Sequence, residues 1–230
     1  APLPLTVGPE QYLYGTNEYI PIYDTQEREM SIQDVMAVFK HPQIKAPMTS
    51  GRKVDYIPSR KIVIPVNREN VIKYGIMDAK YAEQIPDSIV FTISKDKDYL
   101  SKPELFLLDL LSGYQWDRPL HLLNMGGDLN VGIKEYLEYC GYSFKFVPVK
   151  NKTTTTEAGF VDTDELYRRM TQVYSWDALA RDDYFIDYQN MYTHLGVMSV
   201  RGLFVTSAEA FMKAGENDRA LAMLDKCCEV

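Results

Sequence analysis

Long apolar runs are missing from this 230-residue chain: the longest, Leu105 to Leu111, is broken by Asp109 and is too short to span a membrane. Cysteine is scarce. The three present, Cys140, Cys227 and Cys228, are an odd number, which argues against a disulfide framework. The adjacent pair does not bridge without strain, so the cysteines read as small apolar residues. Histidine is equally rare, and His41, His121 and His194 lie far apart with no H-x-x-x-H or C-x-x-C spacing. That excludes a conventional structural zinc site, and neither metal nor cofactor is expected. A basic excess is absent too: the net charge is −7 and the pI about 5.1, the wrong sign for a general nucleic-acid binder. No G-x-S-x-G elbow, Walker loop or G-x-G-x-x-G fingerprint occurs. The opening Ala1-Pro2-Leu3-Pro4 has neither a basic start nor an apolar run, so no signal peptide is expected there.

What is present is enough for a core, with 46% hydrophobic and 25% charged residues. The stretch Lys102 to Lys150 carries the clearest pattern. An apolar helix (Leu105, Leu107, Leu108, Leu111) stops near Gly113, and Asp117-Arg118-Pro119 leads into a strand, Leu120 to Leu123. A loop follows, Asn124 to Asn130, with Gly126 and Gly127. A helix to about Cys140 is ended by Gly141, and Tyr142 to Val149 alternates like a strand. The order predicts an α/β fold, a layered mixed sheet with a βαβ unit. Upstream, Tyr19 to Tyr23 reads as an edge strand because Pro21 lacks a donor. Ser31 caps a helix, Ile32 to Lys40, stopped at His41-Pro42, and Pro42 to Arg52 reads as loop. Lys61 to Val66 and Ser88 to Ile93 read as strands paired antiparallel around two inserted helices, near Glu69–Tyr74 and Asp78–Gln84.

Downstream, the polar tract Asn151 to Glu157 reads as a mobile loop. Asp162-Thr163-Asp164-Glu165 opens a helix through about Val173, with acids well placed in its first turn. Trp176 to Asp187 reads as irregular, and from Tyr188 the chain is helical. There Phe204, Ala208, Phe211, Gly215, Ala220, Leu224 and Cys227 fall on the small and large positions of a tetratricopeptide-like hairpin, with Phe204 replacing the usual tryptophan and Ser207 the usual leucine. A single repeat does not bury its own face, so the expectation is a terminal hairpin packed on the α/β body. The predicted organisation is an α/β domain over 1–150, a mobile loop over 151–160 and a helical region over 161–230.

The candidate ligand site is the loop Asn124-Met125-Gly126-Gly127-Asp128 at the carboxyl end of a strand, where open α/β sheets gather ligands. Asn124, Gly126, Gly127 and Asp128 would form it, with Arg118 nearby. Against it, Asp128 repels a phosphate, and Arg118 reads equally as the partner of a neighbouring carboxylate. His121 in an apolar strand reads as neutral and hydrogen-bonded. Acid pairs such as Glu27/Glu29 and Asp182/Asp183 read as exposed turns. The 17 tyrosines are too scattered in sequence to locate a sugar-stacking surface. No catalytic residue is assigned.

Taken in order, further motifs carry a resemblance. They are Pro2-Leu3-Pro4-Leu5, Gln11-Tyr12, Gly15-Thr16-Asn17-Glu18-Tyr19-Ile20-Pro21, Ser31-Ile32-Gln33-Asp34, Ser50-Gly51, Val54-Asp55-Tyr56-Ile57-Pro58-Ser59-Arg60-Lys61 and Ile64-Pro65-Val66-Asn67. Leu108-Asp109-Leu110-Leu111, Trp116-Asp117-Arg118-Pro119-Leu120, Tyr136-Leu137 with Gly141, Val147-Pro148-Val149-Lys150 and Val161-Asp162-Thr163 complete the series. With them the chain resembles the soluble C-terminal portion of a bacterial family of multi-spanning membrane proteins of unknown function. The membrane half of that family is similar to protein O-mannosyltransferases, in the integral-membrane glycosyltransferase class. The resemblance implies a fragment that follows a membrane part, sits on the extracytoplasmic (periplasmic) face and lacks the family's catalytic acids. It also implies a sheet edge left open by a missing preceding segment. His121 stands where the family shows an aromatic, and Cys140 where an acid is common.

Three functions follow as expectations. The first is a non-catalytic domain of a glycosyltransferase-like membrane protein, placing a glycan or protein acceptor, or a partner, beside the membrane-embedded half. The second is an independent enzyme or ligand-binding domain using Asn124–Asp128. The third is a protein-interaction module built on the terminal hairpin.

Overall fold

Caps written in the sequence start most of the helices. In the computed structural model, which describes residues 3–10, 12, 18–24, 27–48, 51–123, 131–150, 161–176, 178–179, 181, 183, 187 and 197–230, the Ser31 hydroxyl accepts the Asp34 N–H and opens α1 (Ile32–Lys40). Helix α1 buries Ile32, Val35, Met36 and Phe39, the i, i+3, i+4, i+7 stripe of an amphipathic helix. Asn67 caps α2 (Arg68–Lys73), Asp78 caps the 3-10 turn Ala79–Gln84, and Asp162 caps α4 (Thr163–Arg168) through two N–H groups. Helix α3 (Lys102–Ser112) is buried nearly all round and carries Pro103 in its first turn, where a missing N–H costs nothing.

The chain forms two compact units. The first comprises Ala1–Leu120, Met125–Lys134 and Val147–Val149. Its largest sheet is mixed. Strand β2 (Glu29–Ser31) runs parallel to β5 (Lys61–Pro65), and β5 pairs antiparallel with β6 (Ser88–Thr92) in register Lys61↔Thr92 to Pro65↔Ser88. The expected strand pair is therefore present, with α2 and the 3-10 turn as the insertion. The short strand β3 (Ala46–Pro47) lies inside Pro42–Arg52, the segment expected as loop, and pairs antiparallel with β4 (Lys53–Val54) just beyond it. Strand β1 (Tyr19–Pro21) pairs antiparallel with β7 (Tyr99–Ser101), which leads directly into α3.

A strap, residues 3–10, crosses the C-terminal half of α3. The fully buried Asp109 carboxylate accepts the Thr6 N–H at 3.0 Å, the Thr6 hydroxyl at 2.5 Å, the Val7 N–H at 2.9 Å and the Tyr12 hydroxyl at 3.0 Å. One turn further on, a Cβ at Gly113 would sit 2.1 Å from the Pro4 carbonyl oxygen, so only glycine lets the strap pass. The Asp109 that interrupts the apolar run is thus a fastening inside the core, paired in all directions as a buried charge must be.

The second unit comprises His121–Asn124, Glu135–Phe146 and Lys150–Val230. Strands β8 (His121–Leu122), β9 (Leu137–Tyr139) and β10 (Phe144–Phe146) form a sheet in the order β8-β10-β9, every pair antiparallel. This corrects the βαβ unit expected between Lys102 and Lys150. A 3-10 turn, Lys134–Tyr136, and a strand buried on both faces replace the expected helix. The physical reason lies at Gly141, whose φ of +82° suits the end of a helix and the first position of a hairpin turn equally. The Cys140 N–H donates to the Ser143 carbonyl at 2.9 Å, which closes the hairpin. A parallel strand–helix–strand crossover does occur, but earlier, as β2–α1–β5.

Helix α4 continues as a π-helical turn, Arg169–Val173, so the helical span matches the expectation to Val173. The chain ends in α5 (Val197–Lys213) and α6 (Asn217–Glu229), turned at Gly215. Phe204, Ala208, Phe211 and Ala220 are buried with Met223, Trp176, Met170, Leu166 and Tyr139, while Leu224 is exposed and Cys227 half-buried. The fold is mixed α/β with a C-terminal helical pair, as expected. Residues 151–160, expected as a mobile loop, lie outside the described residues. Among the described residues no helix is long and apolar enough to cross a membrane.

Candidate functional site

A concavity of the first unit sits where β1, β7 and the start of α3 meet. Ile20 and Leu100 face each other across the β1–β7 ladder and are buried. Strand alternation turns their neighbours Tyr19 and Tyr99 outward. Both are about half exposed, at 54% and 50%, and their rings meet edge to face with centroids 4.7 Å apart. They flank a cleft of about 730 Å³ whose other walls are the Ser94–Asp98 loop, Glu18 and the first turn of α3.

The floor of this cleft is fixed. Ser101 and Glu104 make the S-x-x-E capping pattern: one carboxylate oxygen of the buried Glu104 accepts the Ser101 N–H at 2.9 Å and its hydroxyl at 3.1 Å. The other oxygen meets the Lys97 ammonium at 2.6 Å. Arg60 staples the loop from behind, donating to the Ser94 and Lys97 carbonyls at 2.5 and 2.6 Å. The rim keeps unspent groups. The side chains of Glu18 and Lys102 make no hydrogen bond or ion pair among the described residues, and the Asp96 carboxylate takes only a 3.5 Å contact from the Ser94 hydroxyl. The cleft thus offers ring faces, acceptors and a donor, with its one buried acid already neutralised.

Sequence reasoning missed this place. Its signals were the Ser101-x-x-Glu104 box with Pro103 and the out–in–out run Tyr99-Leu100-Ser101. Each is local, and only the β1–β7 pairing, across about eighty positions, brings Tyr19 to Tyr99.

The site expected from the sequence is made of other residues. Asn124, Gly126, Gly127 and Asp128 lie outside the described residues. Arg118 is described, and its guanidinium meets Asp117 at 2.9 Å, which holds the Asp117 carboxyl below the usual range. Its carbonyl accepts the Tyr114 hydroxyl at 2.5 Å. The adjacent Trp116, buried with a φ of +56°, is anchored by its indole N–H on the Pro65 carbonyl at 2.8 Å.

In the second unit, polar groups gather on the β9–β10 hairpin. Lys145 and Glu138 face each other across the ladder at 2.9 Å, both nearly fully buried. Burial raises the Glu138 carboxyl pKa against the pull of the Lys145 cation. Burial, with Glu138 beside it, pushes the Cys140 thiol up to about 12, far from any nucleophilic thiolate. His121 Nδ1 lies 2.8 Å from the Ser143 hydroxyl, and burial, then the Arg169 and Lys145 cations, lowers its pKa. The imidazole is therefore neutral at pH 7. Among the described residues no three His, Cys, Asp or Glu side chains converge as metal ligands.

The terminal helical pair exposes apolar residues away from its core. Met198, Val205 and Met212 recur every seven positions on α5, and Leu221 and Leu224 lie on α6. All five are at least 40% exposed.

No curated protein and no solved structure matches the chain. One family model does, and its match runs over residues 1–165, which takes in the whole cleft and ends inside α4. By that match, over more than half of its length, the chain belongs to the family described as TMEM260-associated domain 2, a domain of a family of membrane proteins.

Proposed function

We propose that the chain is the extracytoplasmic domain of a glycosyltransferase-like membrane protein, does no chemistry alone, and positions an acceptor, glycan or protein, beside the membrane-embedded half. The observation that carries this reading is the Tyr19–Tyr99 cleft, whose groups suit holding a molecule better than breaking a bond. Its buried carboxylate is spent on Lys97 and Ser101, and the Ser101 hydroxyl is spent on Glu104. Neither serine of its lining, Ser94 or Ser101, has a histidine beside it in that lining. Membership of a membrane-protein domain family supports the same reading, and the resemblance to a family whose membrane half is similar to protein O-mannosyltransferases supports glycosyl transfer as the chemistry of that half.

The test is kinetic. In the detergent-purified parent protein, Tyr19→Ala with Tyr99→Ala should raise the acceptor KM about tenfold and leave kcat nearly unchanged, as expected for loss of uniform binding. An unchanged KM, or turnover of glycosides or sugar nucleotides by the isolated chain, would overturn the proposal.

A further inference from the structure

We infer that the cleft floored by Lys97 and Glu104 is a saccharide site, taking an uncharged sugar between the rim tyrosines and the side chains of Asp96, Glu18 and Lys102. The inference rests on the acceptor-positioning reading for where the site acts, and on its own observations for what it binds.

Saccharides present two kinds of surface: patches of C–H that pack on aromatic faces, and hydroxyls that both donate and accept. Tyr19 and Tyr99 supply the first, being held half exposed at the mouth of a cavity by a strand pair whose buried side chains are Ile20 and Leu100. Single exposed aromatics are ordinary, but two set edge to face at 71° on one rim give a sugar a face and an edge to rest on. Asp96 and Glu18 are acceptors for sugar hydroxyls, and Lys102 is a donor. Their mixed sign favours a neutral polar ligand. An anion would meet Asp96 and Glu18, and a cation would meet Lys102 and the Lys97 already paired beneath. Asp98, the remaining acid, is 91% exposed and lies 3.9 Å from Arg60.

Rigidity completes the case. The capping box and the Arg60 staple fix the loop before any ligand arrives, which lowers the ordering cost of binding. The volume falls within the roughly 300–1,000 Å³ common for small-molecule clefts.

The experiment is saturation-transfer NMR on the whole 230-residue chain with the methyl α- and β-glycosides of glucose, galactose, mannose and N-acetylglucosamine. Transfer to the ring C–H protons of at least one glycoside is expected. Its Kd should rise about tenfold or more, the loss of roughly 1.4 kcal/mol, in Tyr99→Ala, Tyr19→Ala and Asp96→Asn. Tyr74→Ala, an exposed tyrosine beyond α2, should change nothing. Asp96→Asn is a near-isosteric change on the surface, so it reads the site even if a tyrosine variant misfolds. Transfer to none of the glycosides, or transfer that survives in the double tyrosine variant, would overturn the inference. If the glycosides fail while the parent's acceptor KM still rises, the saccharide is wrong and positioning stands. If the glycosides bind while that KM is unmoved, the saccharide stands and positioning is wrong.

Discussion

At the scale of single residues, the chain places charge where apolar packing alone would have been simpler. Asp109 is the clearest case. Four donors from the strap and Tyr12 converge on it inside the core, so Asp109→Ala strands all of them. That substitution should cost about 2–4 kcal/mol in urea unfolding and admit protease cleavage near residues 3–10. A loss below about 0.5 kcal/mol would show that the strap is held by its apolar contacts. In the sequence Asp109 was legible only as a break in a hydrophobic run, because its partners lie about a hundred positions away. Cys140 gives a second prediction. With its thiol pushed up to about 12, it should resist iodoacetamide at pH 8 while the exposed Cys228 is alkylated. Mass spectrometry of the labelled chain reads both sites at once. Burial of Cys140 was legible, since a lone cysteine in an apolar context is usually packed; the acid beside it was not.

At the scale of elements, the legible parts are those with local signals. The cap at Ser31, the acid-rich first turn from Asp162 and the apolar runs Lys61–Val66 and Ser88–Ile93 gave α1, the start of α4, β5 and β6 nearly to the residue. The β9–β10 hairpin was misread because Ile133, Tyr136, Leu137 and Cys140 also fall at helical spacing, and the cross-strand partner that decides the matter, Lys145, sits beyond the glycine. That pair makes the hairpin testable. Glu138→Ala leaves a buried ammonium and should cost about 3–5 kcal/mol, whereas Glu138→Leu with Lys145→Met should be nearly neutral. Equal losses in both variants would mean that the ion pair itself is net stabilising. On the same sheet, His121 has a pKa lowered in the folded state, so the fold disfavours its charged form. Stability from the neutral imidazole is fully present above the unfolded value near 6.5, begins to fall below it, and is lost as pH drops through the lowered folded value. His121→Gln should flatten the drop in Tm between pH 7.5 and 5.5; identical profiles for the two proteins would assign that drop to other groups.

At the scale of the whole molecule, the two units are not two lengths of chain. The polypeptide leaves the first unit after Leu120, returns for Met125–Lys134, and returns again for Val147–Val149. A break at 150 looks natural from composition, yet Tyr139 belongs to a core completed by Trp176, Phe204, Phe211 and Met223. A fragment ending at residue 150 should therefore bind 8-anilinonaphthalene sulfonate and associate on a sizing column, where the full chain does not. A monomeric, cooperatively melting fragment would show that the hairpin sheet stands without its helices. Interleaving of this kind has no short-range signature, which is why composition alone misses it. The strap carries a consequence in time as well as in energy. Its Thr6–Asp109 fastening closes a span of 103 positions, and loops that long form only after nearer contacts have offset their entropy. Docking of the strap then belongs to the last stage of folding, beyond the rate-limiting barrier. Loosening it should hasten unfolding while the refolding rate stays almost unchanged, so Asp109 acts less as a builder of the fold than as the latch that sets how long it stays shut.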